Sequence, residues 1–123
     1  MNAHMTKIPI ETLSYNGLLY EKFPSSEYYT WDEALEYQNK LREKSFENWR
    51  LATIDELEKL FTLPKKNLFK KLQTSWSSTE ERHSMAWVMN FSDNIYHLRA
   101  KDTKYRVICV RDTALKRSIN FFK

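Results

Sequence analysis

The chain holds one thiol, Cys109, which makes it the first residue to consider for covalent chemistry. A nucleophilic cysteine needs a depressed pKa and a positioned base, and His97 on the preceding predicted strand is a candidate base. Cys109 lies in the apolar segment Tyr105–Arg111, however, and a cysteine on a buried strand is usually inert packing. We therefore predict no catalytic residue and no enzymatic activity.

Carboxylate, amide and hydroxyl side chains in predicted loops are the next candidates for chemistry. Glu80–Glu81 and Ser92–Asn94 are the oxygen-rich clusters near the later strands, and such oxygens suit calcium. The three histidines, His4, His83 and His97, lack the spacing of a transition-metal site. We predict neither a cofactor nor a metal ligand, and calcium at these loops is the less favoured alternative.

Basic side chains are densest in Lys65–Lys71, which could contact a phosphate backbone or an acidic lipid surface. Leu68, Phe69 and Leu72 fall within or beside this run, so we interpret it as the solvated face of a short helix spanning 67–72. The net charge of +4 is mild, and no nucleic-acid motif is present. Nucleic acid is therefore a disfavoured partner.

Two arginines, Arg50 and Arg111, lie beside apolar residues and could bind an anion. A fork-shaped hydrogen bond to a carboxylate that holds loops together is the more common role of such arginines. Glu56, in the same local turn as Arg50, is the carboxylate that we expect it to bind. We expect structural roles for both arginines.

Four tryptophans could form a stacking platform for a ligand or organise the core. Trp49 and Trp76 stand at the starts of motifs, and Trp87 lies on an apolar strand face. We expect these three indoles to lie in the core. The sequence leaves the position of Trp31 open.

Composition limits the class of protein. A chain of 123 residues with 41% hydrophobic residues suits one domain whose core needs no metal or disulfide. One cysteine excludes an intrachain disulfide and favours the cytoplasm. Residues 1–10 hold no apolar run typical of a signal peptide, and an extracytoplasmic location is the alternative if a leader has been removed. Met5 follows Met1 so closely that residues 1–5 resemble a cloning junction. No stretch is apolar enough to span a membrane.

Two helices are predicted from capping pairs. Thr30 with Glu33, and Thr53 with Glu56, have the spacing at which each side chain satisfies a free backbone amide of the other residue. The apolar stripes that follow are Trp31, Ala34, Leu35, Gln38 and Leu41 in the first helix, and Ile54, Leu57, Leu60 and Phe61 in the second. Gln38 is the polar member, and we expect it either to have a hydrogen-bond partner or to lie at the edge of the stripe.

Later segments show strand patterns. Residues 17–21 form a short strand, and in 85–91 the side chains of Met85, Trp87, Met89 and Phe91 share one face. Ser92–Asn94 is a turn, and residues 95–99 return as the hairpin partner. Tyr105–Arg111 is a central strand, with Val107 and Cys109 opposite Ile108 and Val110. The order of helices and strands predicts an α+β fold.

Five segments together resemble the Lcl C-terminal domain family of bacteria. They are Thr30–Trp31, Trp49–Thr53 with Glu56–Leu57, Trp76–Thr79, Trp87 with Asn90–Phe91, and Arg106–Arg111. This family is similar to the C-type-lectin-like fold, in the branch that includes formylglycine-generating enzymes. The resemblance covers about residues 15–112 and implies two helices packed on a twisted antiparallel sheet with long loops.

Three departures from the family pattern bear on function. Ala52 stands where the family usually has Pro, and Ser45–Asn48 replaces a turn that contains Gly. Gln38 stands where many members carry a cysteine that pairs with the one corresponding to Cys109. Formylglycine-generating enzymes need a cysteine pair, so the resemblance does not carry that activity over.

We predict a non-enzymatic binding module that recognises a protein, or with less support a glycan, through surface loops. One alternative is a divergent enzyme of the formylglycine-generating branch that uses Cys109 or a metal, and another is a weak nucleic-acid or anion binder through Lys65–Lys71. The domain is expected to span residues 15–112, between an extension (1–14) and a tail (113–123). The candidate binding residues are Tyr28, Tyr29, Glu80, Glu81, Arg82, Ser92, Asp93 and Asn94, with the two tyrosines as exposed anchors.

Overall fold

The computed structural model describes residues 10–60 and 74–113, which form two helices and two four-stranded sheets. In chain order the elements are β1 (Thr12–Tyr15), β2 (Leu18–Glu21), α1 (Trp31–Ser45), β3 (Arg50–Leu51), α2 (Ile54–Leu60), β4 (Thr74–Glu81), β5 (Met85–Asn90), β6 (Ile95–Ala100), β7 (Arg106–Val107) and β8 (Cys109–Asp112). The first sheet has the order β1-β2-β8-β3 and the second the order β6-β5-β4-β7. The predicted α+β class is confirmed, but its strands divide into two sheets. The predicted helix at 67–72, Phe61 and the tail lie outside the described residues.

The turn between β1 and β2 is made by Asn16 and Gly17, which both have positive φ angles, of 54° and 80°. Tyr15 pairs with Leu18 across this two-residue loop. Asn-Gly is the preferred pair for such a turn because both positions need left-handed backbone. The dipeptide was therefore a usable signal for β1, which our sequence analysis did not predict.

Helix α1 begins as predicted. Thr30 caps it, and the reciprocal bonds between Thr30 and Glu33 complete the capping box. Gln38 has the expected partner, since its side-chain oxygen accepts the N–H of Leu51 at 2.8 Å. The helix ends at Phe46, whose φ of 59° lies in the left-handed region that glycine usually occupies.

Helix α2 starts at a junction between the two sheets. The carboxylate of Glu56 accepts both Arg50 Nη atoms at 2.8 Å and also the Thr53 N–H at 2.9 Å. The Ile54 N–H donates to the Thr79 hydroxyl of β4 at 3.0 Å. The predicted capping box and the predicted Arg50–Glu56 pair are therefore both confirmed.

The predicted central strand Tyr105–Arg111 is two strands in two sheets. β7 pairs with β4 in parallel at the edge of the second sheet, whereas β8 lies between β2 and β3 in the first. Ile108 lies between these two strands, where the chain passes from the second sheet to the first. The predicted alternation is confirmed, because Val107 and Cys109 pack around α1 and Ile108 packs around α2. A strand that changes sheets keeps its period of two, so the pattern alone does not reveal the crossing.

Two clusters of buried apolar side chains make up the core. The α2 cluster includes Leu57 and Phe91, and the α1 cluster includes Trp31, Trp49 and Trp76. The core positions predicted for Trp49 and Trp76 are confirmed. Trp31 joins them at 8% exposure, which leaves it no open face for a ligand.

The core position predicted for Trp87 is wrong. Its side chain is half-buried, and its ring packs edge-on against Tyr96 with centroids 5.5 Å apart. Ala86 and Val88 of the same strand point into the α1 cluster instead. Trp31, Trp49 and Trp76 already fill much of that cluster, so small side chains fit where a fourth indole would not.

A buried carboxylate, Glu21, joins α1 to the first sheet. Its side chain accepts the Tyr37 hydroxyl at 2.6 Å and the Cys109 N–H at 2.7 Å, and the residue is 5% exposed. Burial raises the pKa of Glu21 to about 7, although both hydrogen bonds oppose that rise.

Replacing Glu56 with Gln is expected to lower the free energy of unfolding by about 1–3 kcal/mol, because the charge-assisted fork to Arg50 is lost. Burial alone would raise the pKa of Glu56, but the bonds from Arg50 and Thr53 outweigh it and lower the pKa. The difference from wild type should therefore shrink as the pH falls through that lowered pKa. Urea unfolding measures the difference in unfolding free energy between wild type and Glu56→Gln, and Glu58→Gln, at an exposed site, is the control. Equal stability of both variants would contradict the role of the junction.

Glu21 predicts a second effect of pH. Because its pKa is raised from 4.5 to about 7, the folded protein holds a proton that the unfolded chain releases. This contribution to stability is complete below the unfolded pKa and disappears as the pH rises through about 7. Glu21→Gln should reduce the change in unfolding free energy between pH 5 and pH 8 by about 2 kcal/mol. A pH profile identical to that of wild type would refute this assignment.

Candidate functional site

The loops predicted to bind a partner lie at opposite ends of the second sheet. Asn90, at the end of β5, pairs with Thr74 and Ile95, beside the Ser92–Asn94 turn. Met85, at the start of β5, pairs with Glu81, beside the β4–β5 hairpin turn. Six strand residues span roughly 20 Å, so the two loops belong to separate surfaces.

The turn between β5 and β6 is shaped by its own side chains. Asn90 Oδ1 accepts the Ser92 N–H at 2.8 Å, and Asp93 Oδ1 accepts the Ile95 N–H at 3.1 Å. Asn94 has a φ of 59°, which Asn tolerates better than most residues. These bonds hold the turn in one conformation and leave its outer atoms exposed.

Tyr28 lies at the same end of the sheet as this turn. Arg106 of β7 pairs with Ser75, the residue after Thr74, and its guanidinium lies 4.9 Å from the centre of the Tyr28 ring. Tyr28 is 45% exposed and Ile95 is 51% exposed. We define the turn-end surface as Tyr28, Arg106 and residues 92–95.

Tyr29 is half-buried rather than the exposed anchor that we predicted. Its backbone bridges Tyr105, and its carbonyl accepts the Trp76 indole N–H at 2.7 Å. Its ring lies 5.6 Å from that of Tyr37 on α1. These contacts are incompatible with a freely presented side chain, and Tyr29 instead forms one wall of a groove beside α1.

The opposite end of the sheet holds Glu80, Glu81 and Arg82. Glu80 and Glu81 are the last residues of β4, so the loop predicted for them is wrong, and Arg82 begins the hairpin turn. Glu80 forms an ion pair with Lys101, whose ammonium lies 4.1 Å from the centre of the Trp31 ring. The Lys101 N–H also donates to the Ser84 carbonyl at 2.9 Å. Arg82 is exposed at the hairpin tip with a φ of 64°. Glu80 therefore contributes to holding the hairpin beside the start of α1.

The structure does not bring Cys109 and His97 together. Cys109 is buried in the first sheet, and burial raises the pKa of its thiol, as does the nearby Glu21 carboxylate. His97 lies in the second sheet with its Nε2 3.8 Å from Asp93. Residues 10–60 and 74–113 contain no group of three His, Cys, Asp or Glu side chains that could hold a metal ion. Lys65–Lys71 lies outside these ranges.

The other arginine that sequence analysis singled out, Arg111, has a structural environment. Its Nη1 lies 3.7 Å from the Glu47 carboxylate, and its guanidinium lies 5.5 Å from the centre of the Trp49 ring. It therefore links the loop after α1 to β8 through an ion pair and a ring contact rather than through the fork-shaped hydrogen bond that we predicted.

A groove of about 640 Å³ runs along α1, and our sequence analysis missed it. Glu21 and Tyr37 lie in its lining, with Tyr29 as a wall. The remaining lining residues are Ile10, Glu33, Glu36, Lys40, Leu41 and Lys44. The usable signal was Glu21 itself, a carboxylate directly after the apolar strand residues Leu18–Tyr20.

Solved structures with the same fold come from snake venom proteins. Botrocetin matches with a TM-score of 0.63 and 14% identity, covering 87% of this chain and all of that chain. EMS16, an antagonist of the collagen receptor integrin alpha2beta1, matches with a TM-score of 0.65 and 12% identity over the same shares. The snake venom toxin convulxin matches with a TM-score of 0.62 and 10% identity, covering 86% of this chain and 98% of that one. The fold is therefore C-type-lectin-like, as the sequence resemblance implied.

Other comparisons complete this result. No curated protein sequence matches the chain. In the described parts of the chain, no helix is long and apolar enough to cross a membrane. Residues 12–111 match the Lcl C-terminal domain, and the match includes the junction and both helices. The chain therefore belongs to the Lcl C-terminal domain family.

Proposed function

We propose that this domain is a non-enzymatic module that binds a protein partner through the turn-end surface. The observation that carries the proposal is the exposure of Tyr28 and Ile95 at the same sheet end as a rigid polar turn. One structure with the same fold, at a TM-score of 0.59, is a complex of botrocetin with a von Willebrand Factor A1 domain. That complex supports protein recognition as a use of this fold.

Tyr28 and Arg106 supply the contact chemistry. Tyrosine and arginine are enriched among the residues that dominate interface energies, because they combine apolar area with directed hydrogen bonds. A hydrogen bond also fixes the Arg106 side chain, since its Nη1 donates to the Ser25 carbonyl at 3.1 Å. A partner that covers Tyr28 would therefore meet a pre-positioned side chain and lose little conformational entropy on binding.

The turn supplies the polar rim. Asp93 uses one carboxylate oxygen within the turn, and its side chain remains 47% exposed. Ser92 and Asn94 lie beside it in the same fixed loop. Arg106 of β7, which contacts Tyr28, lies three strand spacings from β6, about 14 Å, so one partner surface of ordinary size reaches both sides of the turn-end surface.

A glycan is the less favoured partner. Calcium-dependent glycan binding needs several oxygen ligands around one ion. The two oxygen-rich clusters, Glu80–Glu81 and Ser92–Asn94, lie at opposite ends of β5.

The proposal predicts that substitutions at one end of the sheet matter more than those at the other. A photo-crosslinking amino acid at position 28 in cells that express the chain natively should capture the partner for identification. With that purified partner, Tyr28→Ala should weaken binding at least about tenfold. Asp93→Asn, which keeps the oxygen that accepts the Ile95 N–H, should weaken it less.

Glu81→Ala is the matched control, because Glu81 is exposed at the opposite end of the sheet. Its binding constant should stay within about twofold of wild type. Full binding by Tyr28→Ala together with loss in Glu81→Ala would place the interface on the hairpin instead.

The competing enzyme hypothesis predicts a reactive thiol. Because Cys109 is buried and the pKa of its thiol is raised, a maleimide should label the native protein at least about 100-fold more slowly than the urea-unfolded chain. Mass spectrometry of the labelled fraction measures both rates. Fast labelling of native Cys109, at the rate of the unfolded chain, would favour the enzyme.

A further inference from the structure

We propose that the groove beside α1 binds a protonated amine or guanidinium group, with Glu21 as the counter-ion at its floor. The groove is separate from the turn-end surface, and this inference does not depend on the proposed protein partner. Its volume of about 640 Å³ is in the range of small-molecule sites.

Glu21 is a buried carboxylate without a compensating cation in the described part of the chain. Glu21 is 5% exposed, and its two hydrogen-bond partners, the Tyr37 hydroxyl and the Cys109 N–H, are both neutral. Among the described residues, no lysine or arginine nitrogen forms a salt bridge with it. Buried carboxylates are ordinarily paired with a cation, so a ligand cation would supply what the fold lacks.

The walls of the groove also suit an organic cation. Tyr29 and Tyr37 present tilted aromatic rings with centroids 5.6 Å apart, and Leu41 adds apolar surface. Aromatic rings and a carboxylate together suit an organic cation better than a hydrated metal ion, which prefers several oxygen ligands. The lining carries three carboxylates, of Glu21, Glu33 and Glu36, against the two ammonium groups of Lys40 and Lys44, so its charge balance is negative when Glu21 is ionised.

The protonation of Glu21 gives the site a distinct dependence on pH. Its pKa of about 7 means that an amine must bind the ionised form, so affinity should rise with pH through neutrality. The titratable groups that line the groove with Glu21 are Tyr29 from the connection before α1 and Glu33, Glu36, Tyr37, Lys40 and Lys44 from α1. Cys109 of β8 lies beside Glu21 in the first sheet, where its N–H donates to the carboxylate.

The test compares benzylamine with benzyl alcohol, its neutral counterpart of similar shape. The readout is the backbone amide NMR signal of Cys109, whose N–H donates directly to the Glu21 carboxylate. We expect benzylamine to shift this signal with at least tenfold higher affinity than benzyl alcohol, and to bind about tenfold more weakly at pH 6 than at pH 8.

Two variants separate the site from general attraction to the protein. Glu21→Gln should abolish the preference for the amine while retaining the Cys109 N–H bond through its side-chain oxygen. Glu58→Gln, an exposed site on α2, should leave the preference unchanged. Tyr37→Phe, which removes a hydroxyl without changing the shape of the groove, provides a second folded variant and should alter the pH midpoint of the Cys109 signal.

Three results would overturn the proposal. Equal binding of amine and alcohol would remove the role of charge. Amine binding that shifts the α1 signals near Glu33 and Glu36 but not that of Cys109 would place the cation at the rim. Unchanged amine preference in folded Glu21→Gln would exclude Glu21 as the counter-ion.

Discussion

The structure depends on the junction at which Glu56 holds Arg50 and the start of α2. The Ala52 peptide beside it donates to the Ile108 carbonyl at 3.2 Å and accepts the Ser78 N–H at 2.8 Å. One short segment thus ties α2, the crossing between β7 and β8, and β4. Its bonds are charge-assisted or backbone bonds in a partly buried site, where an unmatched group would be costly. The motif at Trp49–Thr53 therefore has a structural role, because it connects these elements.

Two indoles extend this arrangement to α1. Trp31 Nε1 donates to the Ser77 carbonyl at 3.0 Å, and Trp76 Nε1 donates to the Tyr29 carbonyl at 2.7 Å. Each bond joins a large buried ring to backbone distant in sequence, so the start of α1 is fixed against the second sheet. With the body held in this way, recognition falls to the turn and to the groove that α1 borders.

Glu21 is a buried carboxylate whose two hydrogen-bond partners are neutral. A domain that needed only stability would place an apolar side chain or an ion pair at this position, since burial disfavours the ionised carboxylate. Strained or costly groups are characteristic of functional sites, where part of the stability is given up for binding. The same residue therefore affects both the pH dependence of folding and the proposed amine site.

Local patterns in the sequence determined the helix starts, the Arg50–Glu56 pair and the alternation through Cys109, because each depends on neighbours within a few residues or on strand periodicity. The resemblance of several short segments also identified the family and the fold. Only the tertiary structure decided that Ile108 carries one strand pattern across two sheets, that Trp87 faces outward, and that the predicted loops lie at opposite ends of β5. It also placed Glu21 against Tyr37 and Cys109. These features depend on the distribution of space and charge among segments far apart in the chain, which a local pattern does not encode.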